Sequence, residues 1–313
     1  MNVNQVNYLN IGLMLGSCAA AFVFPFQLFL FAYAVLGPLH YLTEISWLDQ
    51  HGYYAGGRNR AWWLVGLCLL MFPGAILFSF LSPFSPPFLM LAFLVAYLFA
   101  TQSRSPLFMS TLLAFFVFGV FIFWPAAQQL QIALAILLPT LIHVFLFTGI
   151  FILVGALKSK SRSGFFSLLV FFSCALSFFV LPSFAGMVAP SIQTMYVPFA
   201  VVNTFLLAHF APTHAVDIFH SQAALGLMGF IAFAYTYHYL NWFSKTSVIN
   251  WHRASRKRLI AILIGWILAV GVYVWNYQAG VFALLFLSLL HVILEFPLNH
   301  QSFKMLLGAL WRG

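Results

Sequence analysis

Charged residues are the scarcest feature of this 313-residue sequence. Asp, Glu, Lys and Arg together make up 5% of the chain, against about 25% in an average soluble domain. Hydrophobic residues make up 64% of the chain, and the mean hydropathy is +1.01. So few charged side chains cannot cover a water-facing surface, which excludes a soluble enzyme, a disordered tail and a free nucleic-acid-binding domain.

Cysteine motifs and a cleavable leader are missing as well. The three cysteines, Cys18, Cys68 and Cys174, lie far apart inside apolar runs and form no CxxC pair. We therefore expect buried, inert thiols. The N-terminal sequence has no basic region and no small-residue cleavage site, so we expect no cleaved signal peptide. Strict alternation of apolar and polar residues is also absent, which disfavours a barrel.

Long apolar runs dominate what is present, and they predict an all-α, polytopic transmembrane bundle, because helices satisfy their own backbone hydrogen bonds in lipid. We count about ten or eleven helices of the roughly 20 residues that a bilayer requires, in a single membrane domain over residues 1–313. Pro25 is expected to divide the first run into a hairpin, and Pro38 to break or kink its second half. The expected spans are 7–48, 61–82, 86–102, 106–124, 127–157, 164–187, 194–212, 218–243, 257–277 and 279–300.

The basic residues cluster in the short links between these spans. Thirteen Lys and Arg against four acids give a net charge of +9. The positive-inside rule produces this pattern, so the expected partners are anionic membrane lipids and not nucleic acid. All basic clusters face the cytoplasm only if the segment 194–212, interrupted by Pro198, does not fully cross. We therefore expect a re-entrant or tilted segment there, in a multi-pass protein of a bacterial inner membrane.

All four acidic residues of the chain lie within four positions of a histidine. Glu44 follows His40 by four residues, and Glu295 follows His291 by four. Residues four apart lie on one helix face, so each pair could present an imidazole and a carboxylate to one point. A carboxylate in a membrane helix costs about 2.5–3.5 kcal/mol on insertion scales. That cost indicates that these acids have a function.

A second cluster lies in the segment HAVDIFH. Asp217 has His214 three residues before it and His220 three residues after it. Imidazole and carboxylate together suit non-haem iron, zinc and manganese, and helical bundles build di-iron sites from inward-facing Glu and His. We expect catalytic roles for His238 and Asp217. The predicted metal ligands are His40, Glu44, His214, His220, His238, His291 and Glu295.

Two further intramembrane histidines have no acid beside them. His238 lies in YTYHYLNWF, where Asn241 could orient its imidazole for a metal ion. An interfacial aromatic belt explains the same segment equally well. His143 stands alone in LIHVF, and we expect it to be a hydrogen-bond partner and not a ligand.

The segment THAVDIFH at residues 213–220 resembles the His…Asp-His segment of the Brp/Blh-type carotene-cleaving oxygenases. Those membrane proteins carry several membrane-embedded histidines. His214, Asp217 and His220 correspond in this resemblance to the residues of the family's His…Asp-His segment. The HxxxH and HxxHH boxes of the desaturase and hydroxylase class are absent from the sequence. The resemblance implies an iron-dependent oxygenase that acts on an apolar substrate held in the bilayer.

The sequence leaves three functions open. The first is a membrane-embedded metalloenzyme, a non-haem iron oxidoreductase acting on a lipid-like substrate, with a mono- or di-iron centre and zinc or manganese as alternatives. The second is a proton-coupled transporter or channel that uses the His/acid pairs as a proton relay. The third is a non-catalytic membrane partner whose His/acid pairs only lock helices together.

Overall fold

The computed structural model describes residues 2–52, 62, 64–66, 69, 94–98, 138–210, 217–245 and 249–310. Within these ranges every regular element is helical, as an all-α bundle requires. Eight helical stretches among the described residues are long and apolar enough to cross a membrane. The chain is therefore a multi-pass integral membrane protein. The predicted spans 61–82, 86–102 and 106–124 lie almost wholly outside the described residues.

The remaining predicted spans correspond to helices. In chain order these are α1 (Val3–Val23), α2 (Pro25–Phe31), α3 (Gly37–His51), α4 (Thr148–Ser159), α5 (Arg162–Val180), α6 (Pro190–Tyr196), α7 (Ala200–Phe210), α8 (Gln222–Ser244), α9 (Arg256–Trp275) and α10 (Tyr277–Leu310). Two π-helical stretches, Ala32–Leu36 and Leu138–Phe147, run directly into α3 and α4. Short 3-10 turns occur at Val197–Phe199 and Trp251–Arg253.

Side-chain caps define where several of these helices begin. Asn2 and Gln5 form a capping box at the start of α1. Such caps satisfy backbone N–H groups that have no partner within the first helical turn. Helices α5, α8 and α9 begin in the same way, with the serine caps Ser161, Ser221 and Ser255.

The predicted division of the first apolar run at Pro25 is confirmed. Helix α1 ends at Val23, and Pro25 opens α2 at a position where its missing N–H is harmless. Helix α1 runs antiparallel to α8, because Asn10 in its first half accepts a hydrogen bond from Ser244 at the end of α8. The chain from Pro25 onward runs parallel to α8, since Tyr41 contacts Tyr239. The two segments therefore form a hairpin.

Pro38 does not interrupt the helix, because a π-helical turn precedes it. The N–H of Gly37 donates to the carbonyl of Ala32, five residues back. In a regular α-helix the proline ring would clash with the carbonyl four residues before it, and a widened turn relieves that contact. The helix then continues to His51.

The described residues belong to two compact units, the first of which comprises Met1–Thr43 and Val144–Leu284. Helix α8 is its core element. Of the 18-residue apolar stretch by which each helix could cross a membrane, 83% is buried in α8 and 11% in α9. Helices α1, α2 and α5 pack directly on α8. The contact with α5 is close, since a Cβ atom on Gly226 would lie 2.5 Å from the carbonyl oxygen of Phe178. Small residues allow membrane helices to approach in this way.

The second unit comprises Glu44–His143 and Leu285–Gly313. Its apolar core draws most of its side chains from one stretch of α10. That helix continues past Pro297 to Leu310, ten residues beyond the predicted end at residue 300. The buried core residues are Leu48, Leu64, Ala96, Leu290, Val292, Ile293 and Leu294.

The segment predicted to be re-entrant is helical in the structure. Helix α6, the 3-10 turn at Val197–Phe199 and α7 follow one another without a gap, and Pro198 lies in the turn. Pro190–Ala208 is long and apolar enough to cross a membrane. Re-entry at 194–212 stays a prediction, as do the single domain, the bacterial inner membrane and the cytoplasmic basic loops.

Candidate metal centre

In the part of the chain that the structure describes, four histidines are buried within the helices: His40, His143, His238 and His291. They lie in α3, the second π-helical stretch, α8 and α10, respectively. Each offers one ring nitrogen, and these nitrogens all lie within 4.8 Å of one another. The group could therefore hold a metal ion.

His40 and His238 face each other in the first unit. Their Nε2 atoms are 3.1 Å apart, and their rings meet edge to face with centroids 4.8 Å apart. A tetrahedral zinc ion with Zn–N bonds of about 2.0–2.1 Å sets its ligand nitrogens about 3.3 Å apart. The observed separation is close to that value.

Thr148 fixes the tautomer of His238. The Thr148 hydroxyl donates to the carbonyl of Val144 at 2.7 Å and lies 2.8 Å from Nδ1 of His238. A hydroxyl has a single hydrogen, so it accepts from the imidazole, and Nδ1 carries the ring proton. The Nε2 lone pair of His238 therefore faces His40, as a metal ligand requires.

Aromatic side chains surround the His40 ring. The ring centroids of Tyr239, Trp242 and Tyr41 lie 5.1, 5.5 and 5.8 Å from it. The two tyrosine hydroxyls hydrogen-bond to each other at 2.7 Å, and the indole N–H of Trp242 donates to Thr43 at 3.0 Å. The polar atoms of these rings are thereby satisfied within the protein, and their apolar surfaces exclude water from the histidine pair.

His143 and His291 form a matching pair in the second unit. Their Nε2 atoms are 3.2 Å apart, and the rings again meet edge to face, at a centroid distance of 5.0 Å. On the far side of His143, Nδ1 lies 3.0 Å from Oε2 of Glu295. The two atoms are close enough for an ion pair, but the contact does not have the geometry of a hydrogen bond. A carboxylate behind a histidine is the usual support of a metal ligand.

Two carboxyl groups lie side by side in the second unit. Glu44 and Glu295 are both buried, and their carboxyl groups lie within hydrogen-bonding reach of each other. The side-chain amide of Asn299 donates to Oε2 of Glu295 at 3.3 Å. Two buried carboxyl groups this close cannot both be ionised unless a cation compensates them. Their charge could balance a divalent cation.

The structure brings together some of the predicted site residues and adds one. His40, His238 and His291 belong to the four-histidine group, together with His143, for which only a hydrogen-bonding role was expected. The sole signal for His143 in the sequence is the cost of burying an imidazole in an apolar run.

Two expected side-chain relationships differ in the structure. Glu295, paired with His291 by spacing, instead contacts His143. Asn241, expected to orient His238, accepts a hydrogen bond from Tyr237 at 3.4 Å. Thr148 takes the orienting role instead. The observed contacts, Glu295 with His143 and Thr148 with His238, each join residues that are distant in sequence.

The second predicted cluster lies at the surface where the structure describes it. His214 falls outside the described residues. The side chains of Asp217 and His220 are 56% and 50% exposed, and Oδ2 of Asp217 lies 2.7 Å from Nδ1 of His220. The backbone N–H of Phe219, with a smaller contribution from His220, holds the pKa of Asp217 below its usual value. The metal-binding and catalytic roles of this cluster stay predictions.

No protein-family model matches the chain, and comparisons with curated proteins and with solved structures give no match either. The resemblance to carotene-cleaving oxygenases therefore stays a prediction. A function for this protein has to follow from the chemistry of its site.

Proposed function

We propose that this protein is a membrane-embedded metalloenzyme, a non-haem iron oxidoreductase that acts on an apolar, lipid-like substrate. The observation that supports the proposal is the buried group of four histidines, each offering a ring nitrogen. Neutral imidazole suits iron, zinc, copper and nickel. The carboxyl groups of Glu44 and Glu295 would offset the charge of a divalent ion, which lipid alone would not tolerate.

The opposed nitrogens are arranged as a bound cation would require. In each pair two Nε2 atoms face each other at 3.1–3.2 Å, and two lone pairs at that distance repel unless a proton or a cation lies between them. His238 holds its ring proton on the opposite nitrogen, toward Thr148. A cation would accept these lone pairs.

Substrate class follows from the surroundings of the site. Aromatic rings enclose His40, and all four histidines are buried in helices that span the membrane. A dry site of this kind favours apolar ligands and keeps water from reactive species. Bound iron would supply the redox chemistry, while Thr148 would hold the ring proton of His238 away from the ion.

Proton-coupled transport is the second candidate, and one observation favours it. Glu44, Glu295, His143 and His291 form a continuous run of titratable side chains, with contacts of 3.0 Å from Glu295 to His143 and 3.2 Å from His143 to His291. Buried acids and histidines in contact are also what a proton relay requires.

Metal analysis of the purified full chain tests the proposal. We expect a stoichiometric transition metal by plasma mass spectrometry, and its loss in His238→Ala and His143→Ala. The exposed His252 provides the matched control, and His252→Ala should retain the metal. Folded protein that binds no metal after incubation with Fe²⁺, Zn²⁺ or Mn²⁺ would overturn the metalloenzyme. Proton flux in proteoliposomes that depends on Glu295 would then support the relay.

The identity of the bound metal tests the proposed oxidoreductase activity separately from metal binding. Zinc has no redox chemistry of its own, so a site that takes zinc and rejects iron would exclude an oxidoreductase while leaving a metal centre. We expect iron to bind, and iron-loaded protein in lipid nanodiscs to consume oxygen faster than His238→Ala when an apolar polyene is supplied.

A further inference from the structure

A polar cavity lies where three helix ends meet in the first unit. Its volume is about 760 Å³, and it is lined by the first residues of α1 and by the link from Ser159 to Ser163. Helix α1 begins here, α4 ends here and α5 begins here. Because each belongs to a candidate membrane span, the cavity lies at one boundary of the membrane-spanning region.

Hydrogen bonds hold the floor of this cavity together. The buried Ser163 donates to Oδ1 of Asn4 at 2.7 Å and accepts from the amide of Asn7 at 2.9 Å. Its hydroxyl also lies 2.8 Å from that of Ser161. The two serines thus secure the link against α1. Lys160 and Arg162, which alternate with them in sequence, remain exposed at the rim.

Lys160 has a backbone conformation that a lysine rarely adopts. Its φ and ψ angles are 48° and 39°, in the left-handed region, at the C-terminal cap of α4. Glycine is the usual residue at this position, because a Cβ atom disfavours the conformation. Strain of this kind at a side chain with a charge indicates a function for that side chain.

Exposed apolar side chains begin within one turn of the basic rim. Phe166 and Leu169 in α5 are 51% and 61% exposed, and Tyr8, which lines the cavity, is 61% exposed. Among its described lining residues the cavity has two cations and no acid. The basic, polar cavity therefore adjoins an apolar surface that the hydrocarbon chains of membrane lipids would cover.

We propose that this cavity binds the phosphate headgroup of an anionic phospholipid. Lys160 and Arg162 neutralise the phosphate, with the forked Arg162 guanidinium suited to two of its oxygens. Asn2 and Asn4, whose side-chain oxygens already accept hydrogen bonds, offer their amide N–H groups to the glycerol and headgroup hydroxyls. The acyl chains run along Phe166 and Leu169. Basic residues near a membrane surface attract anionic lipid in this way.

Native mass spectrometry of the full chain, released from micelles of phosphatidylglycerol and phosphatidylcholine, tests the proposal. We expect retained phosphatidylglycerol in the wild type and a loss of about tenfold or more in the double variant Lys160→Gln/Arg162→Gln, since each cation contributes to binding. The matched control is Arg256→Gln/Lys257→Gln, which removes two exposed cations at the start of α9. It should retain the lipid within about twofold.

A further variant separates binding from folding. Lys160→Gly relieves the left-handed strain and should raise the unfolding temperature while lowering lipid retention, two effects of opposite sign. Equal retention of lipid by the double variant and its control would overturn the proposal. Equal retention of phosphatidylcholine would also overturn it. Displacement of phosphatidylglycerol by inorganic phosphate would assign the site to a free anion and not to a lipid.

Discussion

The Nε2 atom of His40 lies 3.1 Å from the Nε2 atom of His238, although 198 positions separate the two residues in the sequence. Each ring is held in place by its own helix, and His238 is further fixed by Thr148. Metal ligands bind more tightly when they are oriented before the ion arrives, because the entropy of ordering the rings is then lost on folding and not on metal binding.

Removing the support behind His238 should weaken metal binding without removing a ligand. Thr148→Val keeps the shape of the side chain but loses the acceptor for the Nδ1 proton, and we expect the metal affinity to fall about 10–100-fold. Thr148→Ser should restore most of it. The control is Thr204→Val, since Thr204 is exposed and bonds only to the carbonyl of Ala200 in the part of the chain that the structure describes. Chelator competition measures the affinity, and an unchanged Thr148→Val would contradict the orienting role.

Replacing Glu295 should separate metal binding from stability. Glu295→Gln removes the carboxyl group behind His143, so the metal affinity should fall about tenfold or more. The same change relieves the contact between two buried carboxyl groups, so the metal-free protein should unfold at a higher temperature. Asp217→Asn, at an exposed carboxylate, is the control and should leave the metal affinity unchanged. A Glu295→Gln protein with wild-type affinity would assign this carboxylate to another role.

Metal should stabilise the folded protein through the histidine group. At a free metal concentration about 100 times the dissociation constant, binding contributes about 2.7 kcal/mol, so a chelator should lower the unfolding temperature measured by intrinsic fluorescence. His291→Ala should abolish this difference. His300→Ala, on the same helix α10, should retain it. An identical chelator effect in both variants would argue against His291 as a ligand.

The close contact between α5 and α8 predicts opposite effects for two glycine substitutions. Gly226→Ala would place its Cβ atom 2.5 Å from the backbone oxygen of Phe178, and we expect a loss of about 1–3 kcal/mol, because a packed backbone cannot move aside. A Cβ atom on Gly271 in α9 meets no atom of the described residues within 4 Å. Gly271→Ala should therefore be neutral or stabilising by up to about 1 kcal/mol. Denaturant unfolding in detergent compares the two.

The surface pair Asp217 and His220 should respond to pH without affecting the metal. The lowered pKa of Asp217 keeps its carboxylate ionised at neutral pH. Its contribution to stability is therefore complete above the ordinary pKa of aspartate, and it is lost as pH falls through the lowered value. His220→Ala should abolish part of this acid dependence and keep the full metal content. Loss of metal in His220→Ala would instead place this cluster in the metal centre, as the resemblance implies.

The sequence was sufficient to predict the membrane helices that the structure describes, because long apolar runs permit little else in a bilayer. It was less informative about the site. Local spacing marked His40 and His291 through the acids beside them, yet Glu295 contacts His143, and Thr148 supports His238. These partners come from helices that are distant in sequence, so no periodicity within one helix reveals them.

The π-helical stretches place a constraint on chain length as well as on residue identity. Successive residues of an α-helix are rotated by about 100°, so one extra residue in a turn redirects every side chain after it. Ala32–Leu36 immediately precedes the helix that carries His40, and Leu138–Phe147 contains His143. Deleting a single residue from Ala32–Leu36 would leave an apolar helix of nearly the same length whose imidazole points in a different direction. In homologous chains we expect substitutions in this stretch to be tolerated far more often than insertions or deletions.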